Sequence, residues 1–391
     1  LHLLSRRQRQ MCIRDRSIIM KLVRCPNCGF VCKRNGKTNA GSQRWYCNQC
    51  SYSFTNKVNK TNNNLQIFLD WLFGKHTQLD MAGDGRSFRR KTSQFWELWP
   101  LPPKVESSSS VVFVDGIYLA RNACILICCN ETHVLGWYVC RYEHSKAWEA
   151  LLRRISSPIV VISDGGTGFQ KALKKVWPKA KLQRCLFHAF QQVKRYTTIR
   201  PKTIAGCELY GIARDLLTIH TQDHAIKWVQ NVMSWKVRHR VFLSEITVDE
   251  NGTIRPKHER LIKAENSLVK LINKRCLFTY LDASLTCACP ATNNRIEGGV
   301  NAQLRTMLRN HRGMSIERRI KAVFWWCYMH SPNPLSNAEI LKVMPTNKSI
   351  SDIYHTIHEQ SRLEASIPTW GDAIVWSDLH NYDRLFTNLW D

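Results

Sequence analysis

Acid is scarce in this sequence. Its 391 residues hold 30 Asp and Glu against 57 Lys and Arg, a formal charge of +27 at pH 7. That surplus is too large for a typical cytosolic enzyme and suits a polyanionic partner, nucleic acid first of all. Long apolar runs are missing as well: none approaches the roughly 18 residues of a membrane helix. The first residues also lack the charged, apolar and small-residue order of a secretory signal. No membrane partner is therefore expected, and the chain is read as cytoplasmic. No internal repeat is evident either. What is present is a 44 % hydrophobic content, enough for an ordinary buried core in two or three domains.

The charge is unevenly spread. Residues 20–104 hold 14 Lys and Arg against 4 Asp and Glu, whereas residues 349–391 hold 2 against 7. The acidic tail after His330, residues 331–391, is expected to serve packing or assembly and not DNA contact. Residues 1–19, LHLLSRRQRQMCIRDRSII, match nothing downstream, and MCIRDR resembles translated sequencing adapter, so this leader is set aside as non-native and Met20 is taken as the start. The 16 cysteines would suggest disulfides in a short secreted protein. Here four form Cys-x-x-Cys pairs and the rest are scattered among apolar residues, so a reducing compartment fits better.

Cys25-Pro-Asn-Cys28 and Cys47-Asn-Gln-Cys50 are two knuckles separated by 18 residues, a zinc-ribbon spacing. Each pair offers two thiolates from a tight turn, and four thiolates close a tetrahedral shell around a structural Zn2+. Metal binding then supplies the folding free energy that residues 20–56, too turn-dense for a core of their own, cannot obtain by burial. Cys32 is surplus to the shell. Such ribbons also mediate protein contacts, but Lys33, Arg34, Lys37 and Arg44 favour phosphate.

Apolar residues recur at helical spacing from Leu65, break at Gly83-Asp84-Gly85 and resume at Phe88, Phe95 and Leu98. Residues 57–98 thus read as a helix-turn-helix-like DNA-binding unit. Ser87 is expected to cap the second helix, and Arg86, Arg89, Arg90 and Lys91 to face the nucleic acid. The alternative is a solvated basic face on an ordinary helix. Three prolines and a serine run make residues 99–110 a linker.

Beyond it the runs VVFVDGIYLA, ACILICC and HVLGWYVC read as strands. A helix from Lys146, the strand IVVIS, a helix over Phe169 to Trp177 and the strand KLQRCLF follow. Three strands and then alternation of helix and strand predict an α/β fold with a mixed sheet. Residues 197–290 read as a mainly helical insertion. A helix starting near Asn294 and another through Phe324 to Met329 are expected to close the core.

Asp115 follows VVFV and Asp164 follows IVVIS, so both carboxylates are expected at strand ends; each precedes Gly, and the alternative is a plain Asp-Gly turn. Glu297, in NNRIEGGVNAQLR, brings a third acid from a separate helix. Three acids can hold two divalent ions for in-line phosphoryl transfer without a covalent enzyme intermediate. Asn293, Asn294, Arg295, Arg305, Arg309 and Arg312 surround Glu297 with donors for a DNA backbone.

Over roughly residues 21–330 the chain resembles the bacterial insertion-sequence transposases of the Mutator-like superfamily. The resemblance rests on CPNCG to CNQC, AGDGRSFRRKTSQFWELWPLPP, VDGIYL, SDGGTGFQKAL, RCLFHAFQQVKR and NNRIEGGVNAQLRTMLRNHRGMSIERR in that order. It implies a ribonuclease H-like catalytic domain over residues 111–330, interrupted by the helical insertion 197–290. Asp115, Asp164 and Glu297 are then the DDE ligands of Mg2+ or Mn2+. It places the family's Cys-x-x-His signature on Cys185 and His188, with His188 beside the active site. The other reading is a packed cysteine and a hydrogen-bonded core histidine. A second metal site joining Cys287 and Cys289 to Cys185 and His188 is not favoured.

The implied function is a transposase that binds double-stranded DNA, both terminal inverted repeats and target, as a nucleoid-associated homo-oligomer. The competing expectations are a transposase-derived DNA-binding protein without nuclease activity and a resolvase-like or replication-linked nuclease.

Overall fold

The computed structural model describes residues 23–365, apart from 26, 27, 40, 56–60, 106, 107 and 249. The leader 1–19, Met20 and the acidic stretch 366–391 therefore lie outside the described residues. The chain divides into two units near Asn62.

The first unit is a three-stranded antiparallel sheet of β1 (Lys33–Lys37), β2 (Gln43–Tyr46) and β3 (Ser53–Thr55), in the order β1-β2-β3. Its buried residues are Cys25, Cys32 and Cys47, with Trp45, Cys50 and Phe54 packed against them. So few apolar groups cannot offset the conformational entropy of the segment.

The second unit begins with α1 (Thr61–Phe73) and α2 (Arg86–Thr92), the latter continued by a 3-10 turn over Ser93–Glu97. Its centre is a five-stranded sheet: β4 (Val111–Leu119), β5 (Ala123–Cys129), β6 (Val134–Cys140), then β7 (Val160–Ser163) and β8 (Lys181–Arg184). The spatial order is β6-β5-β4-β7-β8, antiparallel from β6 to β4 and parallel from β4 to β8. The expected mixed sheet is thus what forms. All seven residues of both β5 and β6 are buried, because helices cover both faces, and this explains why these strands read as continuous apolar runs and not as an alternation. On one face Gly136 admits Leu151 and Ile155, at the end of α3 (Ser145–Leu152). α4 (Thr167–Val176) joins that layer through Trp148 against Phe169.

After β8 the chain forms α5 (Leu186–Thr197), α6 (Ile204–Asp215), α7 (Gln222–Arg238), the short α8 (Arg240–Leu243), a hairpin of β9 (Ile246–Val248) and β10 (Ile254–Pro256), and α9 (Glu259–Asn273). Residues 197–290 are thus mainly helical, as expected, and three of the helices, α6, α7 and α9, are amphipathic. Their apolar faces, with Leu186, Phe190 and Val193 of α5, make a second hydrophobic core separate from that of the sheet.

The chain returns through a π-helical turn over Arg295–Asn301, then α10 (Ala302–Asn310), α11 (Ile316–Met329), α12 (Asn337–Val343) and α13 (Asn347–Ala365). α11 covers the other face of the sheet, where Phe324 meets Trp137 edge-on, as expected of the closing helix.

Three local expectations are corrected. Ser87 does not cap α2: the helix starts at Arg86, and Gly85 occupies the cap position at φ 76°, with no side-chain cap bond. Residues 61–97 share the core of the sheet: Phe68 packs on Trp96 and Trp325, and Trp71 on His311, whose Nε2 meets the Leu72 carbonyl at 3.0 Å. Residues 99–105 lack regular structure, as the prolines require, yet are no free tether. Trp99 and Val105 are buried, and Trp99 bonds the Pro345 carbonyl and Asn347.

Candidate functional sites

The three acids reach their positions by different routes. Asp115 is not at a strand end: it is the fifth residue of the nine-residue β4. The run only looks terminated because Asp-Gly is a turn signal, whereas β4 continues to Leu119 on its pairing with β5. Its parallel partner β7 does stop short, the register closing at Phe113 opposite Ile162. Asp115 thus lies just past the point where β4 loses that neighbour. Asp164 directly follows β7, as expected. Glu297 sits in the π-helical turn, where the widened spiral is a frequent mark of functional positions.

The structure ties these elements together. Asn301 Nδ2 donates to Asp115 Oδ2 at 2.7 Å, and Asn293 Nδ2 donates to the Val114 carbonyl at 3.1 Å. Asparagines on both sides of Glu297 therefore anchor its turn to β4, and both are fully buried. Gly116 N donates to Asp115 Oδ1 at 2.9 Å, and Gly166 N to Asp164 Oδ1 at 3.1 Å.

Electrostatics report the closeness of the acids. Burial, then the charge of Asp164, push the Asp115 carboxyl up to about 7, with smaller contributions from Glu297 and Glu143 and a counter-pull from the Gly116 N–H. Glu297 is raised by burial and by Asp164, against Arg305 and Arg184. Arg184 is buried, and its guanidinium lies where a side chain on Gly165 would sit.

Beside this cleft, Cys185 precedes α5 and His188 lies in its first turn. His188 Nδ1 is 3.2 Å from Glu297 Oε1, and the Asn293 N–H donates to Cys185 Sγ at 3.2 Å. Ligand atoms of Cys185, His188 and Glu297 lie within 4.8 Å of one another and can hold a metal ion. Cys287 and Cys289 do not belong to that group. Burial lowers the basicity of His188 and raises the Cys185 thiol.

Sequence reasoning missed two residues here. Asn301 was legible only as the last position of NNRIEGGVN. Glu143 lies in the β6–α3 connection, and its carboxyl is raised by burial and by the charge of Asp164.

Of the residues expected to face DNA, Arg86, Arg89, Arg90 and Lys91 are exposed on α2, and Arg305, Arg309 and Arg312 on and just after α10. Arg295 is half-buried; its charge is felt by Cys129 and His330, beneath the sheet, and Gly299 leaves room for its guanidinium.

In the first unit the two knuckles fold alike. Cys25 N–H donates to the Phe30 carbonyl at 2.7 Å and Cys47 N–H to that of Tyr52 at 2.9 Å. Each knuckle is followed by a left-handed residue, Gly29 at φ 75° and Ser51 at φ 57°. The sulfurs converge: Cys25 to Cys50 is 3.5 Å, and Cys28 is 3.4 Å from both Cys47 and Cys50. A tetrahedral thiolate shell at roughly 2.3 Å implies sulfurs ~3.8 Å apart, so the four fit one ion with a small outward relaxation. Backbone N–H donation from Cys50 helps draw Cys47 down to about 6, while burial and the neighbouring sulfurs push Cys28 up to about 12, so Cys47 gives up its proton before Cys28. Lys33, Arg34, Lys37 and Arg44 are exposed on β1 and β2.

Among the described residues no helix is long and apolar enough to cross a membrane.

Parts of the chain are similar to known proteins. Residues 111–192, which carry Asp115, Glu143, Asp164, Cys185 and His188, match the MULE transposase domain. The transposase for insertion sequence element IS905 of Lactococcus lactis subsp. lactis (strain IL1403) is 24 % identical over 164 residues, 38 % of this chain and 41 % of that protein. The transposase for insertion sequence element IS6120 of Mycolicibacterium smegmatis is 41 % identical over 51 residues, 12 % of this chain and 16 % of its own length. The matches thus span less than half of either relative. By residues 111–192 and these two partial likenesses, the chain is similar to the Mutator-like insertion-sequence transposases.

Proposed function

We propose that this protein is a DDE-type DNA transposase that binds the terminal inverted repeats of its element and carries out strand cleavage and strand transfer. The observation that carries the reading is the meeting of Asp115, Asp164 and Glu297, from three separate elements, closely enough for the charge of Asp164 to raise the other two. The mixed sheet flanked by helices supports a ribonuclease H-like catalytic domain. Its interruption between α5 and the π-helical turn supports the helical insertion.

Asp115, Asp164 and Glu297 suit Mg2+ or Mn2+: hard carboxylate oxygens with few competing cationic partners. Three carboxylates are enough to hold two such ions between them. When bound, such ions activate a water or 3′-hydroxyl and stabilise the leaving oxygen. The protein itself orients the acids through Asn301 and Asn293. Arg305 and Arg309 neutralise the DNA backbone, and His188 stands beside Glu297 to contact the scissile region.

The four cysteines of the first unit hold Zn2+ as a structural ribbon. The exposed cations of β1, β2 and α2 dock double-stranded DNA, α2 acting as the second helix of a helix-turn-helix-like unit. The protein works as a homo-oligomer on DNA in the bacterial cytoplasm, associated with the nucleoid.

The deciding assay is Mg2+-dependent cleavage of DNA bearing the element's ends. Asp164→Asn is expected to abolish cleavage while leaving DNA binding in place; full cleavage by that variant overturns the reading. Footprinting with no nicking by the unaltered protein favours a DNA-binding derivative instead.

A further inference from the structure

Glu143 belongs to none of the three acidic motifs, yet the fold delivers it among them. It lies in the connection between Cys140, the end of β6, and Ser145, the start of α3. β6 is two strands from β4 in the sheet, so this connection must lean across the sheet to bring a side chain over Gly116, the residue after Asp115.

The glycines record that it does. A Cβ built on Gly116 would lie 2.4 Å from Glu143 Oε1. Gly116 sits within a strand and needs no left-handed backbone, so its missing side chain makes room for this carboxylate. A Cβ on Gly166 would lie 3.9 Å from Glu143 Oε2 and 3.7 Å from Asp164 Oδ1. One oxygen of Glu143 therefore faces the strand of Asp115, and the other faces the loop of Asp164.

A separate observation points to an occupant. Asn301 is fully buried, and its carboxamide is directed at Asp115 through the 2.7 Å bond from Nδ2. Its Oδ1 has no hydrogen-bond partner among the described residues. Buried acceptors are ordinarily paired, and an unpaired one beside carboxylates suits a cation or the water bound to it.

We propose that Glu143 is a fourth carboxylate of the cation site, giving an oxygen to the same divalent ion as Asp164. This rests on the DDE reading above and deepens it. An O-ligand set enlarged by one carboxylate binds a hard divalent ion more tightly.

The test is Mn2+ binding to the full-length, DNA-free protein by titration calorimetry, with cleavage measured in parallel against Mg2+ concentration. Glu143→Gln is expected to raise the Mn2+ dissociation constant at least tenfold and to shift half-maximal cleavage to correspondingly higher Mg2+. Its melting temperature and DNA affinity in EDTA should stay at the unaltered values. Gly116→Ala, which intrudes on Oε1, is expected to weaken Mn2+ binding in the same direction. If Glu143→Gln does not fold, Glu143→Asp carries the test with the same expectation, because the shorter side chain withdraws the oxygen. A Mn2+ isotherm within twofold of the unaltered protein, for whichever variant folds, overturns the proposal. Asp164→Asn separates the two levels: if it binds Mn2+ normally the DDE reading falls, whereas if it loses Mn2+ and Glu143→Gln does not, only the role of Glu143 falls.

Discussion

Asn301 and Asp115 are joined by a 2.7 Å hydrogen bond in which the carboxamide N–H donates to the carboxylate. A bond to a charged group contributes about 1.5–3 kcal/mol, and this one links the turn bearing Glu297 to the strand bearing Asp115. Asn301→Ala is therefore expected to lower kcat for cleavage roughly 10- to 100-fold with KM for DNA little changed. Single-turnover nicking alongside a binding assay checks it; equal rates refute the coupling.

The Asp115 carboxyl, raised to about 7 by burial and by Asp164, gives the metal-free protein a distinctive pH response. A raised carboxyl pKa means that the folded state holds the proton more tightly than the unfolded chain. The associated stability is complete below the unfolded value of about 4 and disappears as pH rises through about 7. Asp115→Asn cannot titrate. The melting temperature of the original protein, in EDTA and relative to this variant, is expected to fall between pH 4 and 7. A constant difference across that range contradicts the assignment.

Removing the metal from the first unit should unfold it selectively. Among its described residues only three cysteines are buried, with a few partly buried neighbours for a core, so chelation, or Cys47→Ser, is expected to abolish protection of the backbone amides of β1 to β3. Hydrogen exchange read by mass spectrometry reports this segment by segment. Protection retained in β1 to β3 after chelation shows that the fold does not need the ion.

Lys321 is fully buried in α11, where its ammonium bonds Asn347 and Glu317 at 2.6 Å and also the Trp96 carbonyl. It joins α11 to the 3-10 turn and to α13. Lys321→Ala strips the Trp96 carbonyl of this donor, whereas Asn347 keeps its bond from Trp99 and Glu317 is open to solvent, and is expected to cost about 2 kcal/mol, the range for leaving a buried polar group unpaired. Urea denaturation of the second unit measures it; a loss under 1 kcal/mol shows that water replaces the ammonium.

Binding to DNA should weaken steeply with salt, since each phosphate neutralised contributes a log–log slope of about −0.9. Replacing Arg86, Arg89, Arg90 and Lys91 of α2 together by Ala is expected to flatten that slope by two or more. An unchanged slope means that this helix faces solvent in the complex.

Much of the sheet was legible because β5 and β6 are buried on both faces and β4 and β7 begin with unbroken β-branched and aromatic runs. Asp164 could be placed from its strand alone. Asp115 was misplaced, since local turn chemistry argued for an end where the pairing with β5 carries the strand onward. The π-helical turn has no sequence period to betray it. Glu143 sits in RYEHSK, a polar loop by any local measure, and only the strand order brings it over Gly116. The pattern in α1 revealed an apolar face but not what it packs on, so residues 57–98 read as a separate unit although Phe68 and Trp71 belong to the sheet's core.

The helical excursion leaves and rejoins the sheet unit at nearly one point: Leu186 N–H meets the Ala291 carbonyl at 3.1 Å, and Asn293 N–H meets Cys185 Sγ. With its two stems stitched together and a core of its own, the excursion can lengthen or shrink at its far end, the β9–β10 hairpin, without displacing the acids on either side of the seam. Selection is thereby free to rebuild whatever those helices touch while the chemistry stays fixed, as a tool holder accepts new bits.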